Sequence, residues 1–178
     1  LANVNATTNT LTKSGGGSAW NGNAWSTRAL EEPGYITVSA TRGGKRMFGL
    51  SLVDGGAAIN TIEYALYLNI SALELYESGT HRGTVGTFDD GDDLRITIDG
   101  RDIVYSQNGS EIRRVIQAVP AGAFAYHADL SIETNGASLE GIQMVIPAPE
   151  GPIIDSFVAA DPDNLNLFYS LDDTFTIN

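Results

Sequence analysis

The sequence predicts an all-β fold, an antiparallel sandwich or barrel of about a dozen short strands. Apolar residues recur at every second position through many short stretches, which is how a strand with one buried face reads. Asp-Gly, Asn-Gly and Gly-Gly pairs separate those stretches, and they supply the positive φ that tight hairpin turns require. No long helical period runs between them, so the βα alternation of a parallel sheet is absent.

Taken in order, short strands are predicted at 10–13 and 24–28, with Ser14-Gly15-Gly16-Gly17 between them. Tyr35, Thr37 and Ser39 then alternate with Ile36, Val38 and Ala40, and Gly43-Gly44 leads into a strand at 46–52. After the turn signal Asp54-Gly55-Gly56, Ile62, Tyr64, Leu66 and Leu68 alternate with Glu63, Ala65 and Tyr67. The stretch 61–77 can be drawn as a helix, but its aromatic and β-branched residues and two-residue period favour two strands, the second at 73–77. Strands follow at 83–88, 94–98, 103–106 and 112–118, the last three joined through Asp99-Gly100 and Asn108-Gly109 as a meander. At 124–133, Phe124, Tyr126, Ala128, Leu130 and Ile132 form one face, and His127, Asp129, Ser131 and Glu133 the other, expected to be wet. Asn135-Gly136 precedes a final strand at 139–146.

Composition shifts after Ile146. Pro147-Ala148-Pro149-Glu150-Gly151-Pro152 holds three of the six prolines, as an interdomain linker does. The expected organisation is a sandwich at 1–147, a linker at 148–152, and a partial second β unit or tail strands at 153–178. The start at Leu1, without Met, reads as a processed chain or a fragment.

Ten Lys plus Arg against 22 Asp plus Glu leave a net charge of −12. Phosphate backbones and anionic lipid are repelled, so nucleic acid is excluded as a partner. Cations, neutral sugars and basic protein surfaces remain open. No apolar run reaches the roughly 18 residues that span a bilayer, so no membrane insertion is expected. The absence of cysteine removes disulfides, thiolate metal sites and Cys nucleophiles, and it suits a bacterial or phage exterior.

A set of motifs carries a resemblance over roughly residues 9–146. They are Leu11-Thr12-Lys13, Ala19-Trp20-Asn21-Gly22-Asn23-Ala24-Trp25-Ser26-Thr27, Gly34-Tyr35-Ile36 and Arg46-Met47-Phe48-Gly49-Leu50-Ser51. They continue with Ile62–Leu68, Leu75-Tyr76-Glu77-Ser78-Gly79, and Gly91-Asp92-Asp93-Leu94-Arg95-Ile96 leading to Val104-Tyr105-Ser106-Gln107-Asn108-Gly109. In that order they resemble the concanavalin A-like lectin/glucanase superfamily, in the SPRY-like modules of secreted adhesins and phage tail proteins. The resemblance implies a two-sheet jelly roll that binds or spaces and carries no catalytic mechanism. The tail from Ile153 resembles the opening strands of an immunoglobulin- or cadherin-like repeat.

Glycosidases need two carboxylates flanking the sugar bond at about 5–9 Å, hence on one strand face. Glu74 and Glu77 are three apart and face opposite ways, and no Glu-x-Asp occurs anywhere, so the chain is read as non-catalytic. His127 and Asp129 share a face but lack the further ligands of a zinc site, and Ser131 beside them lacks a nucleophile elbow. Asp89, Asp90 and Asp92 are a candidate Ca2+ loop, as are Asp161, Asp163 and Asn164, since Ca2+ favours flexible oxygen-rich loops. The resemblance gives Gly91-Asp92 the structural job of starting a strand. Trp25, Tyr67, Tyr76, His81 and Arg82 are the candidate ligand-binding residues; large aromatics more often serve the core, and the resemblance places Trp20 there. The expected function is an extracellular recognition module, carbohydrate-binding or adhesive, on a cell or virion surface. The alternative is an assembly module that meets neighbouring protein subunits in a filament, sheath or particle.

Overall fold

The structure, a computed structural model, describes residues 2–30, 32–117 and 125–145. The linker expected at 148–152 and the unit expected at 153–178, with Asp161, Asp163 and Asn164, lie outside the described residues, as does Phe124.

The chain forms β1 (Val4–Ala6), β2 (Leu11–Lys13), β3 (Gly22–Leu30), β4 (Gly34–Ser39), β5 (Lys45–Ser51), β6 (Tyr64–Asn69) and β7 (Ala72–Glu77). It continues with β8 (Thr80–Thr87), β9 (Asp93–Asp99), β10 (Asp102–Gln107), β11 (Ser110–Ile116), β12 (Tyr126–Ile132) and β13 (Ser138–Val145). They make a seven-stranded sheet, β1-β2-β13-β4-β9-β10-β11, and a six-stranded sheet, β3-β12-β5-β6-β7-β8. Every pairing is antiparallel, and the sheets enclose one core that includes Ile36, Phe48, Leu66, Leu75, Ile96 and Leu130.

Strict alternation holds where the sequence shows it best. Leu94, Ile96 and Ile98 of β9 are buried between less buried neighbours, and so are Leu73, Leu75 and Glu77 of β7. The expected meander is β9-β10-β11, its turns made by Gly100 (φ 64°) and by Asn108 and Gly109 (φ 51° and 76°). The stretch 61–77 is two strands and no helix, joined by a turn at Ile70 (φ 65°). That is a conformation β-branched residues rarely take, and no Asn-Gly or Asp-Gly marks it in the sequence.

Two expectations change. Ile62 belongs to the segment leading into β6 instead of to the strand. The face of β12 read as wet is largely dry: Asp129 is 1% exposed and Ser131 is fully covered. The reason is long-range, because residues 52–63 fold back across the outer face of the six-stranded sheet. Ile62 packs with Met47, Ala65 and Tyr67, and Ile59 packs against the same cluster. Ser131 Oγ donates to Ala57 O at 2.6 Å.

Candidate functional site

Alternation sends one set of side chains from each strand of the six-stranded sheet away from the core. Across β6, β7 and β8 the register sets Tyr67 opposite Glu74, and Tyr76 opposite His81. Tyr67 and Tyr76 meet edge to face at 5.8 Å, and Trp20 meets Tyr67 the same way at 5.6 Å. Tyr76 and His81 rings lie 5.0 Å apart at a 36° tilt. Tyr67 is buried by the cover, whereas Tyr76 is half-buried and His81 exposed.

Glu74 stands on the same face as Tyr76. His81 Nε2 donates to Glu74 Oε2 at 2.9 Å, and Asn69 Nδ2 donates to Oε1 at 2.8 Å. The carboxylate is thus held between two donors beside an aromatic plane. Burial, then the Glu74 charge, push the Tyr67 hydroxyl up to about 12, and the same two causes raise Tyr76. Both phenols stay neutral at ordinary pH and present O–H groups that can donate and accept.

The structure therefore brings Tyr67, Tyr76 and His81 together and places Trp25 elsewhere. Trp25 lies on β3 opposite Asp129 and stacks on His127 at 4.7 Å. His127 Nδ1 donates to Ser26 O at 2.8 Å, while Asp129 Oδ2 accepts from Ser51 Oγ, so histidine and aspartate have separate partners. Arg82 is the extra residue of a bulge in β8, and its Nε donates to Glu77 Oε2 at 2.9 Å on the core side of β7. Sequence reading passed over Glu74 and Asn69 as ligand-facing groups. The signal was there for Glu74, two residues before Tyr76 on an alternating strand.

The acidic turn is committed to the protein itself. Asp89 pairs with Arg42, and Asp90 Oδ1 accepts from the Arg42 backbone N–H. Asp92 Oδ2 accepts from the Asp89 N–H at 2.9 Å and Gln107 Nε2 at 2.7 Å, and Oδ1 accepts from Asn108 Nδ2 at 2.8 Å. Among the described residues no group of three or more His, Asp or Glu side chains that could hold a metal is found, and the Asp89, Asp90 and Asp92 carboxylates are engaged by protein donors. Asn108 first, then Gln107, hold the Asp92 carboxyl below its ordinary value. Its contribution to stability is present above the unfolded-state value and is lost as pH falls through the folded one. Asp92→Ala should cost about 1–2 kcal/mol by loss of these turn bonds, and added Ca2+ should not shift the wild-type melting temperature by this turn. Melting curves of both proteins with and without Ca2+ measure this; an unchanged mutant would contradict the turn assignment.

A concavity of about 370 Å3 opens at one end of the sandwich, between Thr41–Gly44 and Thr134–Ser138. Arg46 closes its floor, donating to Gly43 O and to Thr41 Oγ1.

No protein-family model and no curated protein matches the chain. Solved structures do. A human SPRY domain superposes with a TM-score of 0.59 at 15% identity, covering 78% of this chain and 93% of its own. The SPRY domain of human HERC1 gives 0.55 at 17%, covering 77% and 89%. The VIP36 exoplasmic/lumenal domain, solved in a Ca2+/Man2-bound form, gives 0.57 at 9%, covering 93% and 84%. The fold is the concanavalin A-like jelly roll. Within that jelly roll, the aromatic group lies on the outer face of one sheet, and the Arg46 concavity lies at the mouth between the two.

Proposed function

We propose that this jelly roll is a non-catalytic recognition module that binds a glycan on the open part of its six-stranded sheet. The observation that carries the reading is Tyr76 and His81 side by side, with the Glu74 carboxylate fixed against them by His81 and Asn69. Aromatic faces take the C–H side of a pyranose, and a held carboxylate accepts from its hydroxyls. The net charge of −12 favours a neutral sugar over an anionic one. The VIP36 domain, which shares the fold, was solved with Man2. Calcium is not part of the proposed contact.

Binding is preferred to hydrolysis because Glu74 is already engaged by His81 and Asn69, and Glu133, whose charge also acts on Tyr67, is bonded by Thr134 Oγ1. Asp129 is sealed, and Glu77 points inward to Arg82 and Arg113. Glycan binding is preferred to assembly because two of the four edge strands, β8 and β11, are guarded. Bulges interrupt β8, and β11 presents Glu111, Arg113 and Arg114, features that discourage strand addition. In this reading the module works outside the cell, within a larger surface or fibre protein.

Tyr76→Ala should weaken binding to a recognised oligosaccharide about tenfold, since an aromatic contact contributes about 0.5–1.5 kcal/mol beyond its buried area and the lost area adds to that. His81→Ala should weaken it several-fold. Calorimetric titration reads both, with circular dichroism melts as the folding control. Undiminished binding in Tyr76→Ala would move the site elsewhere.

A further inference from the structure

Asp129 sits in the middle of β12, 1% exposed. Its Oδ2 accepts from Ser51 Oγ at 2.9 Å, and its Oδ1 has no hydrogen-bond partner. A dry carboxylate with one bare oxygen is tolerable when neutral and costly when charged. The cover that keeps it dry is the segment 52–63, seated through Ala57 on Ser131 and through Ile59 and Ile62 on the Met47–Tyr67 cluster.

The cover also divides the sheet face. On one flank lie Trp25 and His127, stacked together; on the other lie Tyr76 and His81. Between them, in register, run Asp129, Ser131 and Met47. Uncovered, the face would span about 24 Å across its six strands.

We propose that segment 52–63 is a proton-dependent strap: it seats while Asp129 is neutral, and its lifting when Asp129 ionises joins the two aromatic groups into one groove for an extended oligosaccharide. The groove rests on the glycan reading above, whereas the strap motion does not. The groups around Asp129 are few. On its own strand is His127, bonded to Ser26 O. From β5 come Ser51 and the bare backbone of Gly49, and from β3 comes Trp25. The strap contributes Asp54, and Glu63, whose Oε2 accepts from the Leu52 N–H at 2.9 Å. Burial raises the Asp129 carboxyl to about 7; the Ser51 bond pulls against that, and Asp54 adds to it. Because the folded value is raised, the covered state is fully favoured below the unfolded value of 3.8 and loses that advantage as pH climbs through about 7.

Hydrogen exchange of the full chain without ligand, at pH 5.5 and pH 8.5 and corrected for intrinsic rates, tests the strap. Protection over 52–63 should fall tenfold or more in the wild type at the higher pH, while β9 and β10 hold theirs. Asp129→Asn should keep equal protection at both. Ser51→Ala, which removes the bond that eases ionisation, should move the loss to higher pH. Wild-type protection independent of pH, the same loss in Asp129→Asn, or an unmoved transition in Ser51→Ala would each overturn the strap. The groove is read separately, as the affinity ratio of long to short oligosaccharides, which should rise about tenfold from pH 5.5 to 8.5. An unchanged ratio overturns the groove, and binding of no oligosaccharide at either pH overturns the glycan reading.

Discussion

Gly49→Ala is expected to lose at least about 3 kcal/mol of stability, or to fail to fold. Gly49 pairs with Ala65 in the middle of the six-stranded sheet. A Cβ there would stand 2.1 Å from Tyr64 O, 2.7 Å from Ile62 Cγ2 and 3.0 Å from Ala65 Cα. Two of those atoms are backbone of the neighbouring strand, so relief requires β5 and β6 to part. The third belongs to the strap, so the same methyl group would unseat Ile62. Gly86→Ala is the matched control, because nothing lies within 4 Å of its added carbon. Urea unfolding of the two variants beside the wild type checks this; a Gly49→Ala protein within 1 kcal/mol of wild type would contradict the packing.

Glu77→Gln should cost about 3 kcal/mol, lowering the melting temperature by on the order of 10 °C. Glu77 is 5% exposed and receives Arg113 Nε at 2.5 Å, Arg113 Nη2 at 2.9 Å and Arg82 Nε at 2.9 Å. The two Arg113 bonds tie β7 of one sheet to β11 of the other, and the Arg82 bond ties β7 to β8 within its own sheet. Gln keeps the shape but offers one acceptor oxygen to two guanidinium groups. Both arginines are about two-fifths exposed, so each can turn to water, which keeps the loss below that of a sealed pair. Arg113→Ala should cost more than Arg82→Ala, having two bonds to lose against one. Equal stability of Glu77→Gln and wild type in thermal melts would sink the account of this edge.

The contrast between β9 and β12 shows what local sequence can and cannot carry. In β9, Leu94, Ile96 and Ile98 alternate with Arg95, Thr97 and Asp99, and burial follows letter by letter. In β12 the same alternation places His127, Asp129 and Ser131 on a face that should be wet, yet Asp129 and Ser131 are sealed. The difference comes from a segment more than sixty residues away in sequence. All the sequence shows of it is Asp54-Gly55-Gly56, a turn signal that says nothing of where the chain goes next. Gly49 is similar: it stands inside the quoted motif Met47-Phe48-Gly49-Leu50, but its reason is the carbonyl of Tyr64. Of the site, Tyr67 and Tyr76 were legible because they fall on consecutive predicted strands, whereas His81 lies before the strand predicted at 83–88 and joins them because β8 begins earlier, at Thr80. Arg82 was grouped with them because a bulge cannot be seen from composition; the extra residue in β8 turns it inward to Glu77.

The central claim is that the open sheet face around Tyr76, His81 and Glu74 recognises sugar. An immobilised glycan array probed with the full chain, beside its Tyr76→Ala variant, tests it most directly. The account predicts wild-type binding to a related set of neutral glycans and loss of that set in Tyr76→Ala, with both proteins folded by circular dichroism at the temperature of the array. Silence of the folded wild type across the array, or the same glycans bound equally by the variant, would contradict it.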